Sequence, residues 1–97
     1  MKLFRWSPVK DAQLKLERGI SFEQMVVAID DGGLLDILEH PNLAKYPKQK
    51  VLVVVSDGYA YLVPFVEAHD HVFLKTVIPS RKATRDYLVG KDHDAEV

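Results

Sequence analysis

The chain has 97 residues, 47% of them hydrophobic and 28% charged, with a formal net charge of -1. One core of this length buries roughly 60–70% of the surface its unfolded chain exposes, so a single domain fits, and the balance of apolar and charged residues excludes disorder and a fibrous structure. No apolar run approaches the roughly 18 residues of a membrane span, no signal-peptide core follows Met1-Lys2-Leu3-Phe4-Arg5, and the lack of cysteine removes disulfides and thiol chemistry, so a cytoplasmic domain held by packing is expected.

Ser7-Pro8 joins a capping residue to proline at the first helical position, and Val9, Ala12 and Leu16 recur at helical spacing until Gly19. Ser21 with Gln24 forms a capping box, and Phe22, Met25, Val26 and Ile29 trace the apolar face of a second helix that stops at Asp30-Asp31-Gly32-Gly33. Leu34 to Leu38 reads as an edge strand, and His40-Pro41-Asn42 and Tyr46-Pro47 mark a loop. Val51 to Val55 is too short and too β-branched for a helix, Asp57-Gly58 closes a hairpin, and Tyr59 to Val66 returns. After the polar turn Glu67-Ala68-His69-Asp70, His71 to Ile78 is another strand. Pro79-Ser80 opens a terminal helix through about Leu88, with Gly90 as its stop.

The expected fold is α+β: two N-terminal helices, a four-stranded mainly antiparallel sheet and a C-terminal helix, within a single domain over residues 1–91 that is followed by an acidic, frayed tail over 92–97. So few helices cover one face of the sheet, which leaves the other for function. Along the last strand Val72, Leu74 and Ile78 alternate with Phe73, Lys75 and Val77, so Lys75 projects opposite Leu74. Edge protection and substrate contact both account for a lysine there.

Charge is unevenly spread. Residues 1–39 sum to -2, residues 40–91 to +4 and residues 92–97 to -3, so a polyanion would meet a local patch and not a whole-molecule field. Arg81, Lys82 and Arg85 fall in the first turns of the last predicted helix, where the macrodipole disfavours each cation by roughly 0.3–1 kcal/mol. Two readings fit: solvated side chains whose penalty is screened, or an anion site in which Ser80 caps the helix, backbone N–H groups stay free and each guanidinium forks onto a phosphate. RNA cleavage by the ribose 2′-hydroxyl needs such cations, a base and an acid, and no metal or other cofactor. Glu67, His40, His69 and Tyr87 are the candidates for proton transfer, Tyr46 and Trp6 for stacking on a base or for packing, and Lys50 for RNA contact beside Ser80 and Lys82. His69-Asp70-His71 supplies two ligands of a metal site but no third, so a solvated turn and no metal is expected.

Phe4-Arg5-Trp6-Ser7-Pro8-Val9-Lys10, Arg18-Gly19-Ile20-Ser21-Phe22-Glu23 and Arg81-Lys82-Ala83-Thr84-Arg85 together resemble the BrnT family of bacterial type II toxins, over about residues 4–88. The resemblance implies a RelE/ParE-like fold and a growth-arresting endoribonuclease. It places Arg81 and Arg85 in RNA cleavage with Lys82 on the same surface; Glu67, from the proton-transfer candidates, and Lys75, from the last strand, complete the catalytic candidates independently of it. It further implies a ribbon-helix-helix antitoxin similar to BrnA as partner, DNA contact only through that partner, and toxin dimers within the complex. The same scaffold also hosts gyrase inhibitors of the ParE type and silent interaction modules, and the scaffold alone does not choose among them.

Overall fold

A computed structural model describes residues 3–39, 42, 44–45 and 48–89. Strand β1 (Leu3–Trp6) leads into helices α1 (Pro8–Arg18) and α2 (Phe22–Asp30), then β2 (Leu34–Glu39), β3 (Gln49–Ser56), β4 (Tyr59–Glu67), β5 (His71–Leu74), β6 (Ile78–Pro79) and α3 (Arg81–Thr84), which runs on into a π-helical turn over Arg85–Val89. The fold is α+β, but the sheet has six strands and not four, in the order β1-β5-β4-β3-β2, with β6 also on β4.

The local signals act as the sequence implies. Ser7 and Ser21 cap α1 and α2 by accepting from the N–H groups of Lys10 and Gln24, at 3.3 and 3.0 Å. Gly19 ends α1 in the left-handed conformation at φ 66°. Asp11 ties the two helices together: one carboxylate oxygen accepts from the Phe22 N–H at 3.0 Å and the other meets the Lys15 ammonium at 3.0 Å. Against the desolvation that raises it, these partners hold the Asp11 carboxyl below its usual range.

Strand β1 was not expected. Its four residues Leu-Phe-Arg-Trp are too few to declare a strand on their own, and β1 lies parallel to β5, a partner some 70 residues away in sequence (Phe4 with Val72, Trp6 with Leu74). The pairing turns Phe4 and Trp6 onto the face that α1 and α2 cover, where Leu14, Phe22, Met25, Leu52, Val54, Val63 and Leu74 form the main core. Trp6 stacks on Phe22 with ring centroids 5.6 Å apart, so this indole serves packing and not base stacking.

The strand expected over His71–Ile78 is broken, and Pro64 of β4 is the reason. Lys75 N–H donates to the Pro64 carbonyl at 2.7 Å, but proline has no N–H to return. The register shifts by one residue between Phe65 with Leu74 and Leu62 with Ile78, a bulge that reverses the side-chain alternation. Val77 therefore enters the core beside Leu74, while Ile78 turns to the other face and is 40% exposed. Arg18, at the end of α1, donates a guanidinium N–H to the Val77 carbonyl at 2.9 Å.

The expectation that the helices cover a single face of the sheet is not met. The helices do not share one side: Val53 and Ala60, with Leu35 and Leu62 at their margin, pack against Ala83 and Tyr87, so α3 and its π turn lie on the face away from α1 and α2. They cover the β4 end that starts at Tyr59. The other end of that face, around Phe73, Lys75, Pro64 and Val66, belongs to neither packed cluster.

Candidate functional site

The start of α3 is fastened to β4 by Ala60. The Ser80 N–H donates to the Ala60 carbonyl at 3.0 Å, and the Ala60 N–H donates to the Thr84 hydroxyl at 2.8 Å, which in turn donates to the Ser80 carbonyl at 2.8 Å. Both backbone groups of one strand residue are thus consumed by one helical turn. Ser80 also caps that turn, its hydroxyl accepting from the Ala83 N–H at 3.0 Å. Further on, the Tyr87 hydroxyl donates to Asp36 of β2 at 2.7 Å. That hydrogen bond, then burial and the Asp36 and Asp86 charges, raise the Tyr87 pKa above its ordinary value.

With Ala83 and Tyr87 turned to the sheet, Arg81, Lys82 and Arg85 are left exposed. Arg85 Nε lies 3.5 Å from Asp86, a long contact between side chains that are both largely in solvent; Arg81 and Lys82 form no ion pair with another described residue. The expected anion site of free backbone N–H groups is corrected in part. The α segment has only four residues and Ser80 already occupies the Ala83 N–H, so a phosphate here would be held by guanidinium and ammonium groups.

Lys75 is exposed and directly opposite the half-buried Pro64, on the same face as α3. Pro64 lies four positions along β4 from Ala60, about 13 Å of strand. Glu67 and Lys50 do not join this group. Both line a cleft of about 250 Å³ with Phe4, Ile29, Ile37 and Phe65, on the face of α1 and α2. Glu67 is also seven residues along β4 from Ala60, about 23 Å away and on the opposite face, so it cannot act as a base beside Arg81 and Arg85. Tyr46 and His40 lie outside the described residues. His69 is exposed in the turn before β5, and His71 Nδ1 is 2.8 Å from Asp70, whose carboxyl that contact holds below its usual range. Among the described residues no three of His, Cys, Asp or Glu converge as metal ligands.

Three contributors were missed by reading the sequence. Thr84 and Asp36 position the basic helix without being basic. Arg5 belongs to the Phe4–Lys10 motif, which gives it no role, and it stands across from Phe73 because β1 joins the sheet. A cleft of about 610 Å³ also opens between α2 and the β3–β4 turn, where the Gln24 side chain donates to the Ser56 hydroxyl at 3.1 Å. Comparison with family models, with curated proteins and with solved structures finds no match for this chain.

Proposed function

We propose that this protein is the toxin of a bacterial type II toxin–antitoxin pair, with a RelE/ParE-like scaffold and BrnT-type endoribonuclease activity. One observation carries the reading: three cations are presented to solvent on a single short segment that hydrogen bonds fasten to the sheet at Ala60 and at Asp36. Such a segment pre-positions charge, which is what phosphoryl transfer needs from a protein. The 2′-oxygen attacks the adjacent phosphorus and the bond from phosphorus to the 5′-oxygen breaks. The products are a 2′,3′-cyclic phosphate and a 5′-hydroxyl, with the 2′-proton passing to a base and a proton delivered to the leaving oxygen. Arg81 and Arg85 stabilise the charge on the non-bridging oxygens, and Lys82 and Lys75 hold flanking phosphates. The reaction requires no metal. The partner is a ribbon-helix-helix antitoxin resembling BrnA, through which any DNA is reached, with two toxins per assembly in the bacterial cytoplasm.

Purified protein is expected to cut RNA in EDTA, and Arg81→Ala/Arg85→Ala to lose on the order of 10²-fold or more in rate. Equal inertness of wild type and double variant on RNA, with equal harmlessness on expression, would refute the reading. The displacement of Glu67 from the arginines favours a second one, a ParE-like inhibitor of DNA gyrase that acts by contact. Inhibited supercoiling without RNA cleavage would establish it, and no effect on either would leave a silent interaction module.

A further inference from the structure

Among the described residues, α3 and its π turn cover only one end of their sheet face, and the other end has a definite chemistry. Arg5 of β1 is paired directly with Phe73 of β5, and Phe73 with Val66 of β4. Lys75 follows two residues along the same face, about 7 Å from Phe73. Phe73 is half-buried among its strand neighbours, whereas Arg5 and Lys75 are exposed. Phe73 thus has Arg5 beside it on one neighbouring strand and Val66 on the other, with Lys75 just past the end of its own strand. Among the described strand residues the alternation sets no carboxylate beside them on this face; Asp70, in the turn, is engaged by His71 at 2.8 Å, and the Arg5 charge is the smallest influence on it. From Phe73, opposite Val66, to Ala60 under α3 is six residues of β4, about 20 Å.

We infer that this open face is a platform for single-stranded RNA, with one base stacked on Phe73, phosphates held by Arg5 and Lys75, and the strand running on toward Arg81 and Arg85. Alternating aromatic and basic side chains on an exposed sheet is the arrangement that grips an unpaired strand, because every base has a π-face and every linkage a charge. The inference rests on the ribonuclease reading and adds to it where the substrate lies.

The test is fluorescence anisotropy with a labelled single-stranded uridine octamer at several salt concentrations, beside cleavage of a longer RNA. Phe73→Ala should weaken binding about 5- to 150-fold, the range for loss of one stacked base. Phe73→Leu, which keeps bulk without a π-face, should weaken it likewise, and Phe73→Tyr should retain it. Arg5→Ala and Lys75→Ala should each lower the slope of log affinity against log salt by about 0.7, while Lys10→Ala on α1 should leave it unchanged. Far-ultraviolet circular dichroism and the emission of Trp6, stacked on the far face, report that each variant is folded. If Arg81→Ala/Arg85→Ala abolishes cleavage but the Phe73, Arg5 and Lys75 variants bind as wild type does, the platform is wrong and the ribonuclease reading stands. Wild type that cuts the longer RNA but does not bind the octamer overturns the platform alone, and wild type that does neither overturns both. Binding of an octaglutamate peptide in place of RNA, lost in the same variants, would assign the face to an acidic protein segment and overturn the proposal.

Discussion

Replacing Gly33 by alanine tests the packing of α2 on β3 in a way that separates sterics from backbone conformation. A Cβ at residue 33 would stand 2.6 Å from the Val55 carbonyl oxygen and 2.7 Å from that of Ala28, both main-chain atoms that no rotamer can remove. Ordinary contact begins near 3.4 Å, so the two carbonyls must move away from residue 33 by about 0.7–0.8 Å each. That movement stretches two hydrogen bonds made at Gly33 itself, its N–H to Ala28 at 2.7 Å and its carbonyl from the Val55 N–H at 2.8 Å. Overpacking of this kind costs about 1–3 kcal/mol, and at roughly 4–8 °C per kcal/mol for a domain of this size, Tm should fall by about 4–24 °C. Gly32 is the control: at φ 87° with nothing within 4 Å of its Cβ, its substitution is strained by conformation alone. Gly32→Asn should recover part of the loss caused by Gly32→Ala, since asparagine tolerates positive φ, whereas Gly33→Asn should be no better than Gly33→Ala. Thermal unfolding followed by circular dichroism measures all four. A Gly33→Ala protein that melts within 2 °C of wild type would refute the close approach of α2 to β3.

Tyr87→Phe removes the bond to Asp36 and should cost about 1–2 kcal/mol, with a larger fractional loss in RNA cleavage than in octamer binding, because it loosens the segment that carries Arg85. The Tyr87 pKa is raised in the folded state, so its contribution is complete below the ordinary tyrosine value of 10.0 and fades as pH rises through the folded value; alkaline titration of stability should be shallower in the variant. Asp11 has the opposite sign: its depressed pKa stabilises the fold above the ordinary value of 3.8 and is lost as pH falls through the folded value, so Asp11→Asn should flatten the acid limb of a stability–pH curve. Thr84→Val should lower Tm by several degrees, because the Ala60 N–H loses its acceptor; an unchanged melting curve would show that α3 is held otherwise. Pro64→Val restores a strand N–H opposite Lys75, and amide exchange at residues 75–78 should then report a changed ladder.

The elements with local causes were legible in the sequence. Ser7-Pro8, Ser21 with Gln24 and Gly19 specify where α1 and α2 begin and where α1 ends, since capping and left-handed φ are properties of a few adjacent residues. The β-branched run at Val51 and the Asp57-Gly58 turn likewise declare the β3–β4 hairpin, whose two turn residues both take positive φ. The cations of α3 were legible too, because charge at a helix start is a departure visible without a fold.

Only the tertiary structure decided the rest. Whether Leu3–Trp6 is a strand depends on β5, whose hydrogen-bonding groups complete it from a distant part of the chain. Whether Val77 or Ile78 enters the core depends on the N–H that Pro64 lacks one strand away, and alternation within His71–Ile78 carries no trace of it. Glu67 and Lys75 sit close in sequence yet on opposite faces, so their candidacy for one site was decided by strand pairing. Local conformation is set by short-range sterics and capping that a sequence displays; which side chains meet is set by long-range pairing, where a single missing donor reverses the face that several residues present.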